Sequence, residues 1–273
     1  MNLDAKLALL AKHLTASLDL SELALQLAQE EYPFLDVEAY LSILEGMAHE
    51  ARPLLRGSLL RRVEGLCRYL FHDLGFRGNQ ANYYDARNSY LNEVLDRRLG
   101  IPITLSAVAM SVGGLAGLPV VGVGLPGHFV CKAVEGDQEV IFDPFHGGRL
   151  LDPEHCAALV EQITGQAFDP TPENLREAPL GLVVQRMLTN LKGIYLSSGD
   201  FSRAVRVMHR LKQLHPTDPL AARDLGVALV HAGQPGSAIN HLIAYLRAQP
   251  HAQDAQAVTR FLTQAQAQVA QWN

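Results

Sequence analysis

The sequence predicts an α+β fold: an N-terminal helical bundle, a core with a small antiparallel sheet, and a C-terminal array of paired helices. Three observations lead there. Leucines recur at helical spacing from Leu7 onward through the first part of the chain. Three short runs rich in Val, Ile and Phe follow between Pro119 and Phe145. Landmark residues in the last third repeat at a constant offset of 34 positions: Gly199 and Gly233, Ala204 and Ala238, Pro216 and Pro250.

In chain order, Leu7, Leu10, Leu14 and Leu18 share a helical spacing, and Leu23, Leu25 and Leu27 continue in a second stretch, with Asp19 and Ser21 as candidate N-caps. Pro33 ends that stretch, and Asp36 caps a third helix through Leu41, Leu44 and Met47. A fourth runs from Ser58 to Leu74 and stops at Gly75. A polar segment then leads to a short helix, Asn88 to Leu99, closed by Gly100. Pro102 suits the first turn of the next helix, whose body is Ile103 to Gly114. That helix is apolar nearly all round, so it belongs inside a domain.

The period then changes. PVVGVGL, HFVCKAV and QEVIFDPF read as strands, with Glu135-Gly136-Asp137 as a hairpin turn. Asp152 to Gly165 returns to helix, and Asp169 to Pro179 is the expected linker. This divides the chain into residues 1–168, bundle plus core, and residues 180–273, the repeats. The offset of 34 is the tetratricopeptide period, with Gly where one helix reverses into the next, Ala where they approach, and Pro after the second. Two repeats are fewer than roughly three usually needed for stability, so a capping helix is expected over Gln253 to Trp272.

The 273 residues suit about two domains, and 48% hydrophobic content is enough for a core. With 23 Lys plus Arg against 28 Asp plus Glu, the net charge of −5 lacks the footprint of a nucleic-acid binder. Three cysteines, Cys67, Cys131 and Cys156, make no disulfide framework and fit a reducing compartment. MNLDAKLALLAKHLTASLDL has no basic region ahead of its apolar stretch, so it does not read as a signal peptide. No window is long and apolar enough to span a membrane. The expectation is a cytoplasmic protein with a peptide or protein partner, and no nucleic-acid or membrane partner.

Chemistry concentrates between Asn88 and Gly148. Gly100-Ile101-Pro102 opens the buried helix, His128 opens a strand after Gly127, and Asp143 ends the next strand in FDPF. This order resembles the papain-like transglutaminase core, in which a G-x-C motif opens a buried helix, a His starts one strand and an Asp followed by Pro ends the next. Ala116-Gly117-Leu118-Pro119 resembles that family's A-x-G-I-P-A turn. The block NSYLNEVLDRRLGIPITLS, with GLPGHF and FDPF, resembles more narrowly the SirB-type transglutaminase-like family, whose members add C-terminal tetratricopeptide-like repeats. The resemblance implies that His128 is a base and Asp143 its orienter. It also implies that Pro102 stands where the nucleophilic Cys belongs.

The first expectation is therefore a transglutaminase-like pseudoenzyme, a peptide- or protein-binding module acting through its cleft and repeats. The alternative is a cysteine-independent amide or ester hydrolase or acyl transferase, using His128 and Asp143 with water or Ser106. Ser106 lies one turn after Pro102 on the same helix face. Asn88 and Asn92, also one turn apart, are candidate cleft residues beside Pro102 and Gly127, or a cap and a solvated side chain. His128 could instead be a core histidine and Asp143 a turn cap. Cys131, three residues into the strand from His128, faces the opposite way and reads as packed. His128, Asp143 and His146 have the composition of a two-His-one-carboxylate metal set, but His146 reads as a surface-loop residue. No metal or cofactor is assigned.

Overall fold

The structure, a computed structural model, describes residues 1–271. Trp272, the expected end of the capping helix, lies outside them. Twelve α-helices and six strands are found among the described residues, in two compact units: residues 1–15 with 188–273, and residues 16–187. No described helix is long and apolar enough to cross a membrane.

Helix α1 (Leu3–Ala11) stops well before Leu18. His13 takes a left-handed conformation, φ 57°, and Leu14 is exposed. The leucine spacing expected to carry the helix through this segment is therefore broken. The unit of residues 16–187 begins with α2 (Leu20–Gln29), α3 (Val37–Ala51) and α4 (Leu59–Cys67), whose N-termini are capped by Asp19, Asp36 and Ser58. Each side-chain oxygen accepts an amide N–H that the helix itself leaves unpaired. A π-helical turn, Arg68–Asp73, continues α4, and the amides of Leu74 and Phe76, on either side of Gly75, donate to the carbonyls of Tyr69 and Leu70.

Two residues of β1 (Arg77–Gly78) pair in parallel with β2 (Leu99–Gly100), on either side of α5 (Leu91–Arg97). Helix α6 (Pro102–Ala116) follows at once. It is buried on most of its surface and packs against α2, α3, α5 and the sheet. Fully burying one such Leu, Ile or Val stabilises the fold by about 1.5–3 kcal/mol.

The sheet is an antiparallel meander of β3 (Val120–Leu125), β4 (His128–Glu135), β5 (Gln138–Asp143) and β6 (Arg149–Leu151), in that order. The first six residues of β4 are all buried, because both faces of the sheet are covered. On one face the Cys131 thiol reaches the Ser106 carbonyl of α6. On the other, Val123, Leu125, Val130 and Ile141 pack with Cys156 and Val160 of α7 (Pro153–Thr164). The segment expected as a linker does not hang free. Leu175 joins this cluster, and the Ala178 amide donates to the Gly122 carbonyl over 2.8 Å.

Helix α8 (Leu180–Ser197) runs across the boundary at residue 188. The other unit continues with α9 (Phe201–Leu214), α10 (Pro219–His231), α11 (Pro235–Ala248) and α12 (Ala255–Ala270). Gly199 and Gly233 turn with φ of 73° and 72°, as the 34-residue repeat requires. Ala204 and Ala238 are fully buried where the helices meet. Helix α12 packs on α11 as the expected cap. The grouping of residues 1–15 with the bundle is corrected: α1 packs on α9, with Arg210 and Gln213 both held to Asp4.

Candidate functional site

The end of β5 and the start of β4 bring His128 and Asp143 together. The His128 Nε2 lies 2.9 Å from Asp143 Oδ2. A 3₁₀ turn over Pro144–His146 then folds His146 back, and its Nδ1 lies 2.7 Å from the same oxygen. The other oxygen, Oδ1, accepts the Phe145 amide at 2.9 Å and the His146 amide at 3.4 Å. Asp143 thus bonds the His128 imidazole and caps its own turn; one carboxylate does both. His128 and Asp143 are buried, whereas the His146 side chain is 38% exposed. His146 is therefore not the free surface-loop residue expected from its position after FDPF.

Electrostatics follow from this geometry. Burial pushes the Asp143 carboxyl up, but the hydrogen bonds and charges of His128 and His146 outweigh it and hold the group well below the usual range. Bonding to Asp143 in turn raises His146. An ionised Asp143 selects the His128 tautomer with its proton on Nε2. His128 Nδ1 has no hydrogen-bond partner among the described residues and is left as the acceptor. The imidazole rings of His128 and His146 stack at 5.7 Å, and Phe145 stands edge-on to both.

The cluster forms part of the wall of a cavity of about 500 Å³. Pro102 and Gly127 share that wall with His128. Gly127 has φ 70°, and a Cβ there would come within 2.7 Å of Ile163 Cγ2, so only glycine lets the β3–β4 turn lie against α7. Tyr83, Arg149, His155 and Gln162 complete the polar lining. Sequence reading missed these four. Arg149 had no usable signal, since it comes across from Asp143 only through the β5–β6 register.

Three expected cleft residues lie elsewhere. Ser106 is fully buried in α6, does not line the cavity, and its Oγ has no partner among the described residues. A nucleophile must reach substrate, so Ser106 is not one in this arrangement. Asn88 is also fully buried; its side chain accepts from Asn79 and donates to the carbonyls of Asn82 and Tyr83, which shapes the preceding loop. Asn92 lines a different hollow, with Tyr32, Phe34 and Tyr40. Arg97 and Arg98 do not flank the cavity. Arg97 meets Asp85 and Glu93, and Arg98 lies over the Phe76 ring.

The pattern of one protein family matches residues 38–189, from α3 through most of α8, and its description is the transglutaminase-like superfamily. The chain belongs to the transglutaminase-like superfamily. A tetratricopeptide-repeat pattern matches residues 191–263 of this transglutaminase-like protein. It is similar to a UPF0162 protein of Xylella fastidiosa, 36% identical over 86% of this chain and 85% of that protein. A UPF0162 protein of Pseudomonas aeruginosa is 30% identical over 72% of each. The mouse F-box only protein 21 is 33% identical over 53% of this chain and 23% of its own length. No solved structure matches.

Proposed function

We propose that this transglutaminase-like protein is a pseudoenzyme: a module that binds a peptide or protein partner without forming a covalent intermediate. The observation that carries the reading is Pro102 in the cavity wall beside His128. On our reading of the motif the family's nucleophilic thiol belongs at that position, and proline offers neither a nucleophile nor an N–H. None of the three cysteines substitutes for it. All are buried, and burial raises the Cys67 thiol to about 12 and the Cys156 thiol to about 11, far from a reactive thiolate. A cavity lined by both apolar and polar side chains suits a peptide side chain, and stacked helix pairs suit a peptide or protein segment. Free, buried cysteines suit the cytoplasm. The block NSYLNEVLDRRLGIPITLS supports a SirB-type kinship within the superfamily.

A second reading is favoured by one feature, the free Nδ1 of His128. With Nε2–H bonded to Asp143, that nitrogen is a base able to activate a water toward an amide or ester. The two readings part in one experiment. A displayed random-peptide library is selected on the full chain, and the enriched peptides are measured against wild type and Ala158→Trp, which fills the cavity from an exposed position on α7. Saturable binding, weakened at least about tenfold by the substitution, with peptides recovered intact, is the expected result. Cleavage that disappears in His128→Ala would establish the hydrolase instead.

A further inference from the structure

We propose that His128 Nε2, Asp143 Oδ2 and His146 Nδ1 together form a binding site for a divalent transition-metal ion, with zinc as the type. The inference rests on the cavity being open to a ligand, and not on the partner being a peptide. The three ligand atoms lie within 4.8 Å of one another. Two imidazoles and one carboxylate suit zinc and its neighbours, whereas magnesium and calcium take oxygen-rich sets.

The set is held in place before any ion arrives. The Phe145 and His146 amides hold Asp143 Oδ1, so Oδ2 is the oxygen turned toward both histidines. The stacked rings and the edge of Phe145 restrict how either imidazole can rotate. Such outer supports are what fix ligand orientation in metal sites. The remaining adjustment falls on the two nitrogens. Adjacent ligands about 2.1 Å from a common ion stand about 3.0–3.4 Å apart. The present nitrogen-to-oxygen distances are 2.9 and 2.7 Å. Replacing the two bridging protons by one ion therefore needs the nitrogens to withdraw from Oδ2 by a few tenths of an ångström and, from as far as 4.8 Å apart, to close to about 3.4 Å from each other by rotation of the partly exposed His146.

A purely structural triad accounts for the same hydrogen bonds, but it does not require His146. The turn is already capped by Asp143 Oδ1, and a single histidine satisfies Oδ2. Instead a second imidazole, on a half-exposed side chain, is aimed at that oxygen from the cavity side. With three protein ligands, the ion keeps a position open toward the cavity, as in sites that bind exchangeable ligands. Water, or a carbonyl or carboxylate oxygen of a molecule in the cavity, would occupy it, and Arg149 on the same wall favours the carboxylate.

The test is a Co²⁺ titration of the chelator-stripped full chain, read by the visible absorption bands of the ion, followed by displacement with Zn²⁺. The expected result is one equivalent bound, with the bands abolished by equimolar Zn²⁺. Affinity should fall at least about 100-fold in His128→Ala and in His146→Gln. His72→Gln, an exposed histidine outside the cavity, should bind as wild type does. His146→Gln is the deciding variant, because its partly exposed side chain can be changed with the fold retained, as circular dichroism would verify. Zn²⁺ should also raise the unfolding temperature of wild type and not of His146→Gln. Absence of saturable binding, or binding unchanged in His146→Gln, overturns the proposal. Either result leaves the peptide measurements standing on their own.

Discussion

Asp143 accepts four hydrogen bonds, two from histidines and two from backbone amides, while almost wholly buried. Removing its charge leaves both imidazoles without an anionic acceptor. Asp143→Asn should therefore cost about 3 kcal/mol, measured by urea unfolding of the chelator-stripped protein. That difference should depend on pH in a defined way. Asp143 is lowered by folding, so its contribution is present above the ordinary Asp value of 3.8 and is lost as pH falls through the folded one. His146 is raised, so its contribution is present below the ordinary His value of 6.5 and is lost as pH rises through the folded one. The stability gap between wild type and Asp143→Asn should be widest between those two values and should narrow on either side. At the neighbouring wall, Pro102→Cys would place a thiol in the first turn of α6, which lowers its pKa. Iodoacetamide should label it at least about tenfold faster than the three buried native cysteines, as peptide mass spectrometry would report. His128 and Asp143 were legible in the sequence because each sits at a strand end beside a Gly or Pro landmark. His146 could be grouped with them by composition but read as a surface-loop residue, because the turn that folds it back onto Asp143 is made by Asp143 itself. Ser106 misled because helical spacing shows which residues share a face, not whether that face is open.

At the level of elements, most helix starts were legible. Asp19, Asp36, Ser58 and Asp152 cap where their residue types suggest, because an N-cap acts locally. The pairs β1–β2 and β5–β6 were not legible, since strands of two or three residues carry no usable period. The partner of β1 moreover lies beyond α5. The repeat helices show the opposite balance, since small residues at fixed offsets announce close helix packing. Gly226 of α10 is a case the offset of 34 did not flag. A Cβ there would come within 2.7 Å of Leu242 Cδ2 and 2.8 Å of its Cγ on α11. Gly226→Ala gains about 1 kcal/mol of helix propensity, but crowding a packed contact costs about 1–3 kcal/mol. The net expectation is a lower unfolding temperature for the repeat helices, checked by calorimetry.

At the scale of the whole molecule, α1 folds with the repeat helices although most of the chain separates them. With Leu7 and Leu10 buried, α1 packs on α9, and α12 packs on α10 and α11. This answers the requirement that a short repeat array be capped at both ends. Leu7→Ala should therefore cost about 2–5 kcal/mol and shift the unfolding of the repeat unit, read by hydrogen exchange in α9. The transglutaminase-like unit, residues 16–187, should keep its exchange protection. By itself, the sequence determined the α+β class, the buried helix after Gly100, the three main strands and the repeat period. Each of these is written in local spacing, capping or turn chemistry. Only the tertiary structure decided that α1 belongs with the repeats, that Ser106, Asn88 and Asn92 lie away from the cavity, and that His146 completes a cluster with His128 and Asp143. Those outcomes depend on which surfaces remain open once nonlocal packing is complete, and spacing along a chain carries no record of that.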